Sequence, residues 1–346
     1  MAGSVSMSDV ARRAGVHQST VSLALRNDLR LPVATRERLQ ALAREMGYRP
    51  NPLVSALISE RKRRGARGGR GSVLAFLTSH QVRGQWRHSP VYHQLFERMV
   101  ACADERGYGL EEFWLGEPGM TPGRMKRILE HRGIRGIVVC PLQGTSHTLD
   151  FDFSSFAAVA LGYTLRAPVL DHVSPDYGAN MTLAVTRLLE EGFRRVLFIT
   201  TQDMEERVNH LALGAYLVQR YLRPGKVLAP QVLQEWSKAA LSRRLAAQRP
   251  EVILTSILSH KTAFKSWFGE RYPVVILDCH CSSVVPEGII RSVDEEAQAA
   301  ISFVTSQVER ARFGLPSRPR SILISGRWSD NIFPVDPHPA ASHGSR

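Results

Sequence analysis

Apolar residues recur at three- and four-residue spacing through the first fifty positions: Val10, Ala11 and Ala14, then Val21, Ala24 and Leu25, then Leu39, Leu42, Ala43 and Met46. That period marks amphipathic helices. The first predicted helix starts at about Met7, where Ser6-Met7-Ser8-Asp9 has the form of a capping box, and ends near Gly15. A second follows at once. The Ala11, Gly15 and Val21 spacing suits two helices that cross closely, with Ala for contact, Gly for the turn and a β-branched residue to lock the second helix. A third is predicted from Pro32 to Met46, with Gly47 as its C-cap. Asn51-Pro52 then reads as an N-cap and a helix-starting proline ahead of the short apolar segment Leu53 to Ile58.

Past the stretch RKRRGARGGRG, which cannot pack and reads as a linker, the period changes. Short β-branched runs appear at Val73 to Leu77, Gly136 to Cys140, Ala157 to Leu161, Val196 to Thr200, Val252 to Thr255, Val274 to Leu277 and Ser321 to Ile324. Helical patterns lie between them at Val91 to Arg106, Thr121 to Arg132, Gly178 to Glu191 and Asp294 to Arg310. Such alternation predicts an α/β fold of parallel sheets flanked by helices, with ligands beyond the carboxyl ends of the strands. The residues after Phe333 have the composition of a frayed terminus.

The stretch MSDVARRAGVHQSTVSLALRND and, after it, TRERLQALAREMGYRPNPLVSAL resembles the DNA-binding head and hinge of the lactose-repressor/galactose-repressor family. The resemblance implies a three-helix helix-turn-helix head over residues 1–50 whose second helix lies in the major groove. Gln18, Ser19 and Leu23 fall at the family's base-reading positions, and Gln18 can pair bidentately with adenine. Thr20, Ser22, Asn27, Thr35 and Arg36 suit phosphate contacts, which set register without reading sequence. Leu23 stands where an Arg is frequent, and His17 where the helix usually has a Ser cap. Residues 51–71 become hinge helix and basic linker. Leu57 matches the leucine that wedges into the minor groove, and Ile58 replaces a small Ala beside it.

Residues 72–333 resemble the family's two-lobed, periplasmic-binding-protein-like sensor, with a flexible tail over 334–346. Three crossings are expected, near Thr164, Arg291 and Pro316. They divide the chain into lobe 1 (72–164 and 292–316) and lobe 2 (165–291 and 317–333). Asp176 is expected to cap a helix. The resemblance places an effector, a sugar or sugar derivative, between the lobes. Asp278 matches the family's hydroxyl-binding acid, and Arg207 lies where a ligand-binding Arg sits; a plain lobe-lobe ion pair is the other reading for each. Ser79, His80, Trp86 and Tyr163 fall on loops expected to face the cleft. The sequence HLALGA around Leu211 to Gly214 replaces the family's Arg before that Gly. Implied partners are a pseudo-palindromic DNA operator, the small-molecule effector and a second copy of the chain.

Composition narrows the alternatives. Of a net charge of +13, residues 1–71 carry nine, the footprint of a segment that neutralises phosphates. The 346 residues are 43% hydrophobic, with no eighteen-residue apolar run and no secretory h-region, so a cytoplasmic protein is expected rather than an exported solute receptor. Cys102, Cys140, Cys279 and Cys281 form no paired framework, and Cys279-His280-Cys281 without a second cluster reads as incidental, so no metal or cofactor is expected. No nucleophile elbow or phosphate-binding loop appears, and GARGGRG follows no strand, which leaves no enzyme signature. The other reading is an architectural DNA-binding protein without effector, whose cleft its own side chains would fill.

Overall fold

A computed structural model describes residue 5 and residues 7–25, 31–48, 72–144, 147–256, 258–279 and 288–329. Asn27, the hinge segment with Leu57 and Ile58, His280, Cys281 and the C-terminal tail lie outside them, as does the side chain of Ser22.

The head is built from α1 (Met7–Ala14), α2 (Gln18–Leu25) and α3 (Val33–Glu45). Val10, Ala11, Val21, Ala24, Leu39 and Ala43 form its core, each 5% exposed or less. Two Schellman ends fix the turns. Gly15 (φ +68°) lets its own N–H reach the Arg12 carbonyl and that of Val16 reach Ala11. Gly47 (φ +72°) does the same with Arg44 while Tyr48 reaches Ala43. Pro32 is extended (φ −56°, ψ 145°) and stands just before α3, so the third helix is shorter than predicted.

The sensor begins with β1 (Ser72–Thr78), a short 3-10 turn at Gln85–His88, α4 (Pro90–Glu105), β2 (Tyr108–Trp114), α5 (Pro122–His131), β3 (Gly136–Val139), β4 (Ala157–Leu161) and β5 (Asp171–Pro175). It continues through α6 (Tyr177–Glu190), β6 (Val196–Thr201), α7 (Gln202–Arg207), α8 (Leu211–Leu222), β7 (Gln231–Leu233) and α9 (Lys238–Gln248). Then come β8 (Val252–Thr255), α10 (Leu258–Phe268), β9 (Val274–Cys279), β10 (Gly288–Ile290), α11 (Val293–Glu309), β11 (Ser321–Ile324) and β12 (Arg327–Trp328).

Among the described residues these strands form two six-stranded sheets, β11-β5-β4-β3-β1-β2 and β12-β10-β9-β8-β6-β7, parallel except for the β10/β12 pair. Both orders reverse direction at an inner strand, between β1 and β3 and between β6 and β8, the switch points where doubly wound sheets open a crevice. In lobe 1, α4 and α11 pack on one face of the sheet, and α5 with the Phe151, Phe153 and Phe156 loop on the other. In lobe 2, α6 and α8 face α9 and α10 across the sheet.

The crossing near Arg291 is where the sequence puts it, but the other two come later. β5 and β11 pair with each other in the lobe 1 sheet, so the chain crosses at about Asp176 and Ser325, not at Thr164 and Pro316. The cause is chemical. The segment DHVSP has no apolar alternation, and it lies within a sheet because the carboxylate of Asp171, 2% exposed, accepts from Gln307 Nε2, from the Arg320 backbone N–H and from Arg320 Nη2 at 2.7–2.8 Å. The proline-rich stretch before β11 is a loop within lobe 1. The three crossings are laced together: Asp176 N donates to the Ile324 carbonyl (2.9 Å), Ser292 Oγ to the Ser325 carbonyl (3.2 Å), and Gly326 N to Asn180 Oδ1 (2.8 Å).

At Gly288 (φ +147°) a Cβ would fall 2.0 Å from the Ile276 carbonyl oxygen, at the point where the β9/β10 register shifts. Gly288→Ala is expected to cost about 2 kcal/mol or more, read as a lowered midpoint in thermal unfolding.

Candidate nucleic-acid interface and interlobe cleft

In the head, Gln18 and Ser19 at the start of α2 are exposed and Leu23 is half-buried. His17 takes over the cap: its Nδ1 accepts from the Ser19 backbone N–H (3.3 Å) and pairs with Ser19 Oγ (2.8 Å). Gln18 Oε1 accepts from Ser8 Oγ (3.2 Å), which ties a base-reading candidate to the first helix. Thr20 and Thr35 are half-buried. Arg36 departs from the expectation of a phosphate contact, being 8% exposed. It lies three positions before Leu39 and seven before Ala43, on the face of α3 that packs into the head.

Between the lobes lies a cavity of about 970 Å³, at the upper end of the usual range for small-molecule sites. Its walls are mostly apolar, including Pro90, Val91, Leu161, Met204, Val208 and Leu258. The start of α4 brings Ser89 and Tyr92, that of α6 brings Tyr177, and that of α10 brings Ser259 and Thr262. Backbone N–H groups at helix starts favour electron-rich ligand atoms.

Three of the six cleft candidates line this cavity: Tyr163, Arg207 and Asp278. Arg207, at the end of α7, donates Nη1 to the Leu142 carbonyl (3.2 Å) and Nη2 to Tyr92 Oη (3.5 Å), both in lobe 1. It has no carboxylate partner among the described residues. Ser79, His80 and Trp86 do not line the cavity. His80 is 3% exposed, and burial lowers its pKa. Trp86 is 1% exposed, set edge-on to Phe76 (5.1 Å) and against Phe96 (4.8 Å), with Nε1 donating to Glu112 Oε1 at 2.7 Å. The indole is part of the lobe 1 core, because the buried Glu112 carboxylate needs its N–H as well as Arg87 Nη1 (3.1 Å) and Thr78 Oγ1 (3.2 Å).

Arg291 was legible only as a crossing, and it is the charged centre of the floor. Its Nε and Nη2 donate to the two Glu296 oxygens, both at 2.7 Å, and Nη1 donates to Asp278 Oδ2 at 3.1 Å. Asp278 belongs to lobe 2 and Glu296 to lobe 1. Burial pushes the Glu296 carboxyl upward while the guanidinium pulls the other way, and the two carboxylates hold Arg291 in its charged form. Asp278 Oδ1 is buried without a partner among the described residues, an acceptor available to a ligand hydroxyl. Asp176 caps α6 as expected, accepting from Ala179 N at 2.9 Å.

Behind the lobe 2 wall, Trp236 and His260 stack at 4.0 Å with planes 4° apart, and His260 Nδ1 meets Thr255 Oγ1 at 3.2 Å. Burial brings the His260 pKa down to about 4. The unfolded chain, with an ordinary histidine near 6.5, therefore takes the proton first as pH falls. Stability from this group is whole above pH 6.5 and is lost between 6.5 and about 4. His260→Phe keeps the stack and should flatten the fall of the unfolding midpoint across that window. Arg291→Ala strands the buried Glu296 carboxylate and the partly buried Asp278 and should cost roughly 3–5 kcal/mol in denaturant unfolding.

A family model described as "Bacterial regulatory proteins, lacI family" matches residues 6–51. The maltose regulon regulatory protein MalI of Escherichia coli (strain K12) is 27% identical over 272 residues, 77% of this chain and 75% of MalI. The HTH-type transcriptional regulator PtxS of Pseudomonas plecoglossicida is 43% identical over 230 residues, 65% of this chain and 63% of PtxS. The lac repressor dimer bound to operator and the anti-inducer ONPF shares the fold, with a TM-score of 0.51 at 16% identity over 94% of this chain and 97% of that one. Head and likenesses agree: residues 6–51 match the lacI family of bacterial regulatory proteins, and most of the chain is similar to the bacterial regulators MalI and PtxS.

Proposed function

We propose that the chain is a cytoplasmic, homodimeric transcription regulator, acting as a repressor, that releases or grips a pseudo-palindromic operator according to a small molecule held between its lobes. The observation that carries the reading is the open cavity of about 970 Å³ whose floor is a crossing between the lobes. An architectural protein with a degenerate sensor would have filled that space with its own side chains. The second helix of the head reads bases through Gln18, Ser19 and Leu23, and Thr20, Ser22, Asn27 and Thr35 set register on the phosphates. Leu57 and Ile58 of the hinge enter the minor groove.

The cavity chemistry favours a hydroxylated ligand with an acidic group, such as a sugar acid or sugar phosphate. Among the described residues Arg207 has no carboxylate partner and Asp278 Oδ1 no hydrogen-bond partner, and Tyr163 offers a phenol beside an apolar wall. A ligand that bridges Arg207 and Asp278 touches the contact joining α7 to lobe 1 and the ion pair at the crossing. Ligand occupancy and lobe angle thereby become one equilibrium, with a coupling of about 1–3 kcal/mol, roughly 5–150-fold in operator affinity.

A thermal-unfolding scan against neutral sugars, sugar acids, sugar phosphates and purines tests this. An effector at a hundred times its dissociation constant should stabilise the protein by about 2.7 kcal/mol. Arg207→Ala should abolish the shift for acidic compounds. A flat response across the panel would sink the effector reading in favour of the architectural one.

A further inference from the structure

Residues 310–320, RARFGLPSRPR, hold four arginines and no acid, as much charge as the whole positive excess of residues 72–346. This loop joins α11 to β11 and walls a second concavity, of about 470 Å³. It is held in shape by its backbone. Arg312 N donates to the Gln307 carbonyl (2.9 Å), Gly314 N to the Phe156 carbonyl (2.9 Å), and Arg320 N to Asp171 (2.7 Å).

The four cations do not have the same work. Arg310 is the C-cap residue of α11, as Arg106 is of α4 and Arg132 of α5, and a cation there offsets the negative helix end. Arg320 is paired with Asp171. Arg312 and Arg318 are exposed and have no ion pair among the described residues.

The sheet register says what lies near them. Ser72 pairs with Tyr108, Leu74 with Gly136, Gly136 with Ala157 and Ser321 with His172. The lobe 1 strands therefore all start at one edge, opposite the interlobe cavity, and the loop ends at that same edge. Ser72 is also where the chain arrives from the head, through a linker with six basic residues between 61 and 70. Basic residues thus lead up to Ser72 in the sequence, and the arginines of the loop lie at the edge of lobe 1 where Ser72 begins β1.

We propose that Arg312 and Arg318 form a sensor-borne DNA contact that holds backbone phosphates flanking the base pairs read by the heads. The contact rests on the DNA-binding reading above. It adds affinity and salt dependence and carries no sequence information.

The test uses the full chain and an operator recovered by selection from random duplexes. One duplex ends at the operator and another extends a helical turn or more at each end. The wild-type protein is expected to bind the extended duplex more tightly. Arg312→Gln/Arg318→Gln should erase that advantage, weaken low-salt binding about tenfold and flatten the log-log salt dependence by about 2 per protomer. Its unfolding midpoint should not move, since neither side chain is ion-paired among the described residues. Gln18→Ala should weaken both duplexes alike and keep the difference between them. Equal salt slopes for wild type and double variant would overturn the proposal, as would equal losses on both duplexes. Binding of inorganic phosphate that the double variant loses, without any change on DNA, would overturn it in favour of a soluble anion. The slopes can also be measured on random duplex, so failure to recover an operator bears on the regulator reading and not on this contact.

Discussion

The Arg291 guanidinium sits at the place where the two lobes share a charge. Glu296 from lobe 1 holds two of its nitrogens and Asp278 from lobe 2 holds the third. One acid of the pair, Glu296, is buried, while Asp278 is partly exposed at the cavity. A buried pair of this kind is weak evidence for stability, yet removing one member strands the others. The cavity floor, the β9 end and the start of α11 depend on that arrangement. Asp278 meets the guanidinium through Oδ2 alone, and its Oδ1 has no partner among the described residues.

The head was legible because its constraints are local. Glycines at Gly15 and Gly47 and the i, i+3, i+4 spacing of small and branched residues mark helix ends and crossings directly in the chain. Arg36 was misplaced because charge is a poor guide to face, whereas its spacing from Leu39 and Ala43 already put it inward. In the sensor, β-branched runs announced the central strands. β2, β5, β7 and β10 went unseen: some are edge strands too short or polar to show a period, and β5 owes its place to an ion pair from 149 residues away.

The cleft was half legible for a related reason. Arg207 and Asp278 came from the family resemblance and Tyr163 from a loop expected to face the cleft, and all three line the cavity. Trp86 met the same loop expectation and does not, because an indole that stacks on a ligand and one that fills a core have the same signature in sequence. What separates them is the Glu112 carboxylate beneath it, on a strand the pattern did not reveal. Tyr92, Tyr177 and Arg291 were missed because each lies at a helix start or a crossing, where local pattern has ended and the second lobe decides what a side chain meets.

The lacing of the three crossings also limits what the sensor can say. Asp176 to Ile324, Ser292 to Ser325 and Gly326 to Asn180 bind the connecting strands into one strip, which any turning of one lobe against the other would have to share as a single hinge pin. Such a device reports one number, an angle, however varied the molecules that wedge it open or draw it shut. Chemically different ligands would then differ to the DNA only in how far they turn that pin, and a new ligand could be recruited by altering the walls while the transmission stays untouched.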